Sequence, residues 1–223
     1  LDGVLIRDHH QDTLIAARQI RTPLLDLKAV MEGNLIFSTI DADGLVMDMK
    51  TYKGDTLSNL DVFVASFDSG EPSSPEPFIM KANTIRLKNS YFRVCDFNTI
   101  AEESPILVEV EGIGGIISDF EIVGSDVKLQ MRHGELLYGK HLKVDDLSTN
   151  FHYADTLISI DKTLLKTPFS TIDADLSFAP YRESYADFLN KVTIKATLRN
   201  SQISTNDLNG FYNGFAMEKN LEV

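Results

Sequence analysis

Cysteine is almost missing from this chain, and so is any long apolar run. Cys95 is the single thiol among 223 residues, so an intrachain disulfide is excluded. It closes the strand-like run Tyr91-Phe92-Arg93-Val94-Cys95, where it reads as a small buried apolar residue rather than a nucleophile. No stretch approaches the roughly 20 apolar residues of a membrane-spanning helix. Positive charge is short as well. The chain carries 21 Lys and Arg against 33 Asp and Glu, for a net charge of −12. Phosphate recognition needs clustered cations, so the balance argues against nucleic acid and against docking on an anionic membrane surface. The phosphate-loop, dinucleotide, zinc-protease, nucleophile-elbow and C-x-x-C patterns are all missing, which removes the usual grounds for proposing an enzyme or a cofactor. The opening Leu1-Asp2-Gly3-Val4 has no initiator Met, basic leader or apolar leader. It is read as the start of a piece cut from a longer protein.

What the chain does have is period two. Val192, Ile194, Ala196 and Leu198 alternate with Thr193, Lys195, Thr197 and Arg199. Val127, Leu129 and Met131 alternate with Lys128, Gln130 and Arg132. Ile172, Ala174, Leu176 and Phe178 alternate with Asp173, Asp175 and Ser177, and Ile85 and Leu87 with Thr84, Arg86 and Lys88. A strand puts the two sets on opposite faces, whereas a helix would scatter them. One apolar and one wet face mark an antiparallel or open sheet, not a parallel sheet buried under helices. Turn-like pairs fall between the runs, among them Asp43-Gly44, Lys88-Asn89-Ser90, His133-Gly134 and Arg199-Asn200-Ser201. The spacing predicts roughly 13 to 16 short strands in a meander, sandwich, barrel or solenoid. At 43% hydrophobic residues, the composition can build a real core.

Three segments break the alternation. A helical turn or bent crossover is expected over residues 22–30, a short helix over Ser58 to Phe67 and another over Tyr181 to Leu189. The Pro- and Ser-rich loop at 69–77 suggests a boundary between a first β unit, 1–70, and a second, 71–223, continuous with it. A repeat supports duplication. Asp12-Thr13-Leu14-Ile15 recurs as Asp155-Thr156-Leu157-Ile158, and Ser38-Thr39-Ile40-Asp41-Ala42-Asp43 recurs as Ser170-Thr171-Ile172-Asp173-Ala174-Asp175, in the same order.

Candidate chemistry is sparse. Asp8, His9, His10 and Asp12 are the densest group of metal-ligand types. Adjacent histidines in a strand point to opposite faces and cannot share one ion without a turn, so a solvated strand end is expected and no metal. Asp41-Ala42-Asp43-Gly44 hints at a calcium loop, but the twelfth position is Tyr52 where a Glu is needed. Glu109 and Glu111 alternate with valines and fall on the wet face, and Glu102-Glu103 and Asp145-Asp146 show no facing partner of the kind a glycosidase uses. An apolar sheet face needs no such motif. An acyl chain laid along it gains roughly 0.8 kcal/mol per buried methylene, or about 11 kcal/mol for fourteen, before costs.

Several segments resemble the TamB branch of the AsmA-like envelope proteins of Bacteroidetes-type bacteria. The opening, through Asp12-Thr13-Leu14, is similar to that family's strand, turn and "D-T-L" strand. Phe78-Ile79-Met80-Lys81-Ala82-Asn83-Thr84-Ile85-Arg86-Leu87-Lys88-Asn89-Ser90-Tyr91-Phe92 is similar to its "I-x-L-x-N-x-x-F" hairpin. Ser184-Tyr185-Ala186-Asp187-Phe188 and Ser201-Gln202-Ile203-Ser204-Thr205-Asn206-Asp207-Leu208 resemble a later stretch. The resemblance implies an all-β fold: an elongated, curled antiparallel-type sheet, a β-taco or repeating groove, with one or two short helices. It implies a periplasmic segment of an inner-membrane-anchored protein of a Gram-negative bacterium, with phospholipid acyl chains as guests. An outer-membrane barrel partner would be engaged through regions absent here, and no catalytic residue is carried over. The candidate groove-lining residues are Ile85, Leu87, Val127, Leu129, Met131, Ile172, Leu176, Val192, Ile194 and Leu198. The rivals are a structural or chaperone-like β module without lipid, active in outer-membrane protein assembly and secretion, and a saccharide-binding hydrolase.

Overall fold

Each of these alternating runs is a strand. The computed structural model describes residues 1–23, 34–66, 79–98, 104–124, 126–154, 156–180 and 192–207. The elements are β1 (Asp2–Arg7), β2 (Thr13–Arg21), β3 (Asn34–Asp43), β4 (Val46–Thr51), α1 (Asn59–Ala65), β5 (Ile79–Asp96), β6 (Ile106–Val123), β7 (Asp126–Tyr138), β8 (Leu142–Ala154), β9 (Leu157–Lys166), β10 (Thr171–Pro180) and β11 (Val192–Gln202). All eleven strands lie in one sheet, ordered β1-β2-β3-β5-β6-β7-β8-β9-β10-β11, with β4 beside β2 and β5. The fold is all-β, and the sheet is mostly antiparallel. Among the described residues β1 and β11 are its two ends and do not pair with each other, so the sheet is open.

The exceptions to antiparallel pairing are β3 and β4, which both run parallel to β5. They are in effect one long strand. Gly44 N donates to Lys88 O and Tyr91 N donates to Leu45 O, so the ladder with β5 runs on through the junction. Asp43-Gly44 is therefore not a hairpin turn. Gly44 takes φ +63, and a Cβ there would sit 3.2 Å from Arg18 Cβ. Returning to a parallel neighbour needs a crossover, and α1 lies within it. Its start is a reciprocal cap: Asp61 N donates to Ser58 Oγ (3.2 Å), and Ser58 N donates to Asp61 Oδ2 (2.9 Å). The helix expected from Ser58 is thus present, packed on β4. The expectations for 69–77 and 181–189, and for 24–30, fall outside the described residues.

Among the described residues eleven strands stand where the turn signals predicted 13 to 16 for the whole chain, and β5 and β6 are 18 residues each. The reason is local. Asn89, His133 and Asn200 have φ of 50°, 50° and 40°, yet sit inside β5, β7 and β11. The pairing register shifts between Leu87 and Ser90 and between Met131 and Gly134. These polar pairs are β-bulges, which bend a strand without ending it.

The repeat is partly structural. In both copies the Asp-Thr-Leu element opens a strand whose antiparallel neighbour carries Asp-Ala-Asp, β2 with β3 and β9 with β10; Asp155 itself is outside the described residues. The central Ala42 and Ala174 are both buried. Each faces the leucine of a similar four-residue stretch on the next strand, Leu87-Lys88-Asn89-Ser90 for Ala42 and Leu198-Arg199-Asn200-Ser201 for Ala174. But β5 runs parallel to β3, whereas β11 runs antiparallel to β10, so the likeness ends at the hairpin. The ladders of β5 with β3 and β4 join 1–70 and 71–223 in the one sheet. The hydrophobic core is centred on Ile40, Ala42, Ala82 and Ile85, with Ile20, Phe37, Met80, Ile117 and Phe120 packed around them.

Candidate functional site

Residues opposite each other in a ladder share a face, so the register shows how the apolar positions line up. One row crosses eight strands as Leu35, Met80, Ile122, Val127, Tyr153, Ile158, Phe178 and Ile194. A second runs Ile40, Ile85, Ile117, Met131, Thr149, then Thr163, Ala174 and Leu198. Its two threonines bond each other, Oγ1 to Oγ1 at 2.8 Å, so their hydroxyls are satisfied within an apolar row. Between these rows lie Leu129, Phe151, Ile160, Leu176 and Ala196.

The structure therefore brings the sequence-derived candidates onto one face. Leu87 stands opposite Ala42, and Ile172 opposite Leu165. Val192 pairs in register with Pro180. Their environments differ. Ile85 (8% exposed) and Met131 (7%) are core residues, while Ile194 (56%) and Leu198 (58%) are open. Leu87, Val127, Leu129, Ile172 and Leu176 are half-buried. The row residues of β3, β6, β8 and β9 were missed, although Phe151 with Tyr153 and Ile158 with Ile160 alternate just as clearly.

The opposite face is charged and paired. Asp41 bonds Arg86 (2.9 Å), Asp43 bonds Arg18, and Asp173 and Asp175 both bond Arg199. The Asp-Ala-Asp carboxylates that hinted at calcium thus already have guanidinium partners. Arg18 holds the Asp43 carboxyl below its usual range, and Arg199 does the same for Asp175. Glu109 lies opposite Arg93 and accepts from Tyr91 Oη (2.8 Å). Burial, then that carboxylate, pushes the Tyr91 phenol up to about 12.

A polar corner forms where the β1–β2 turn, β4 and α1 meet. Asn59 is completely buried. Its side-chain amide acts like one residue of an added strand: Oδ1 accepts from Lys50 N (2.9 Å) and Nδ2 donates to Asp48 O (3.0 Å). Nδ2 also donates to Asp8 Oδ2 (2.9 Å). Asp8 further accepts from Tyr52 Oη (2.6 Å), His10 N (2.9 Å) and Asp12 N (3.0 Å). Burial raises the Asp8 pKa, but these donors outweigh it and hold the carboxyl low. The buried Asp48 is gripped bidentately by Arg93, at 2.9 and 2.6 Å, with Lys50 Nζ at 3.3 Å. Cys95 is buried alongside on β5, and burial pushes its thiol up, consistent with an inert packing residue.

His9 and His10 do not splay as strand neighbours would. Gln11 takes φ 66 in a turn, and Gln11 N donates to Asp8 O (2.9 Å). Both imidazoles consequently face Asp55, with His9 Nε2 at 3.4 Å and His10 Nε2 at 3.3 Å from Oδ2. Their hydrogen bonds lower the Asp55 pKa. The geometric objection to these two histidines sharing one partner is thereby removed.

No protein-family model, curated protein or solved structure matches the chain. Function is therefore read from the geometry: a broad apolar face graded from buried to open, a wet face of paired charges, and one corner with convergent imidazoles.

Proposed function

We propose that this chain is a periplasmic segment of a TamB/AsmA-like envelope protein, and that its apolar sheet face carries phospholipid acyl chains between the inner and outer membranes. The observation behind the reading is an apolar row that runs unbroken across eight strands to the exposed Ile194, flanked by a second that is interrupted at Thr149 and Thr163 and ends at the exposed Leu198. Contiguous exposed apolar surface rimmed by charge marks a binding face. An acyl chain is matched to it because the gain scales with methylenes buried and needs no polar partner. On this reading the protein is not an enzyme, and an outer-membrane barrel partner is met by other parts of the full-length protein.

A second reading has its own support. Ile40, Ala82 and Ile85 are as buried as any globular core, which suits a structural or chaperone-like β module in outer-membrane protein assembly. Native mass spectrometry of the purified chain, followed by solvent extraction, separates the two. Phospholipid co-purifying at defined stoichiometry, and lost in Ile194→Asp, is the expected result. A bare, monodisperse protein that takes up no phospholipid from vesicles refutes lipid carriage and leaves the structural reading.

A further inference from the structure

We propose that His9, His10 and Asp55 form a binding site for a late first-row divalent metal ion of the zinc class, clasping the β1–β2 turn to the turn that follows β4. The one Asp55 oxygen lies 3.4 Å from His9 Nε2 and 3.3 Å from His10 Nε2, and all three ligand atoms fall within 4.8 Å of one another. Those separations are long for charge-assisted hydrogen bonds, which settle at about 2.7–2.9 Å. These two separations also match a shared ion: ligands at about 2.0–2.1 Å from a tetrahedral centre stand about 3.3–3.4 Å apart. Two imidazole nitrogens with one carboxylate select zinc-class ions over calcium or magnesium, which prefer all-oxygen shells.

The supports of this cluster are built in. Asp8 holds the backbone N–H of His10 and of Asp12, which sets the turn. The His10 ring lies 3.9 Å from the Tyr52 ring, and Tyr52 is anchored through its hydroxyl to Asp8 and Asp12. Asp55 sits in its own turn, Asp55 N donating to Tyr52 O (2.9 Å). Asn98 clamps that turn, its Nδ2 donating to Asp55 O (2.9 Å) and its Oδ1 accepting from Gly54 N (2.8 Å). The backbones are thus fixed while the side chains, about a third to a half exposed, can rotate onto an ion and leave a fourth position for water. Such an ion would bridge positions 45 and 46 residues apart in sequence, cross-linking two turns at one edge of the sheet.

The test is titration of the metal-free chain with Zn²⁺, read by calorimetry and by amide exchange. One ion per chain is expected at up to about 100 μM Zn²⁺, with slowed exchange at residues 8–13 and a Tm that rises with Zn²⁺ and not with Ca²⁺. The doubly substituted His9→Gln/His10→Gln chain and Asp55→Asn should each bind at least tenfold more weakly, with circular dichroism unchanged. His141→Gln, in the turn between β7 and β8, serves as the control and should bind as the parent does. Equal affinity in the parent and the double variant, or no stoichiometric binding in the parent, overturns the site. Either failure leaves the lipid reading untouched, because the apolar rows do not include these residues.

Discussion

Asn59 should be the most sensitive polar position in the molecule. It is the one large polar side chain that is fully buried among the described residues, and it satisfies two backbone groups on β4 beyond Met47, where the pairing with β2 stops. Asn59→Ala orphans Lys50 N and Asp48 O and removes a donor from the Asp8 carboxylate. At about 1–3 kcal/mol for each buried group left unpaired, less what entering water restores, the loss is about 2–4 kcal/mol. Urea unfolding at neutral pH measures it as a lower midpoint at unchanged slope. Asn59→Asp is the more discriminating change. It keeps the acceptor for Lys50 N, loses both donors and sets a second carboxylate against Asp8 Oδ2, which was 2.9 Å from Nδ2. It should be worse than Ala near neutrality and recover as the pH falls, because the new carboxyl, once protonated, can donate to an Asp8 that stays ionised. A loss under about 0.5 kcal/mol for Ala, or an Asp variant equal to Ala at every pH, would refute the strand-mimic account.

The two ends of the apolar face should respond differently to the same change. Ile85→Asp buries a charge in the core and should unfold the chain or cost about 4 kcal/mol or more, whereas Ile194→Asp, on an open side chain, should leave circular dichroism and Tm near those of the parent. Gly115 has φ +130, and a Cβ there would stand 2.8 Å from His133 O, so Gly115→Ala should cost about 2 kcal/mol or more in urea unfolding. Gly54→Ala meets no atom within 4 Å and should cost only its φ +91 strain, about 1 kcal/mol. The carboxyls of Asp43, Asp126 and Asp175 have pKa values lowered on folding, by Arg18, His152 and Arg199 respectively. Their stabilisation is complete above the unfolded Asp value, about pH 4, and disappears as the pH falls through the folded values. A thermal series from pH 6 downward should therefore hold until about pH 4 and then decline, and salt should shallow the decline.

The candidate face was legible because alternation is a local property. Val127, Leu129 and Met131 announce their shared side by spacing alone, whichever strands flank them. The bulges were not legible. Asn89-Ser90 and His133-Gly134 use the same residues as hairpin turns, and only a continuing ladder on both sides distinguishes a bend from a reversal. The parallel pairing of β3 with β5 was hidden for a related reason: alternation reports a face and carries no information on the direction of the neighbour. Asn59 went unnoticed because nothing within a short helix expected over Ser58 to Phe67 singles it out, and its role depends on an edge of β4 formed elsewhere in the chain.

By itself, then, the sequence determined the fold class, the wet and apolar faces of the strands whose alternation was read, the short helix at Ser58 and the exclusion of a disulfide within the chain. All of these follow from composition or from side-chain period within a few residues. Tertiary structure alone decided which rows the apolar residues form, which of them are core and which stand open, and where charges meet. His9, His10 and Asp55 show the difference most simply. The sequence places Asp55 45 residues and more from the histidines and gives them opposite directions in a strand. A turn at Gln11 and the docking of the turn after β4 bring all three together, because the distances between ligand atoms are set by how two backbone segments pack, and no local pattern encodes them.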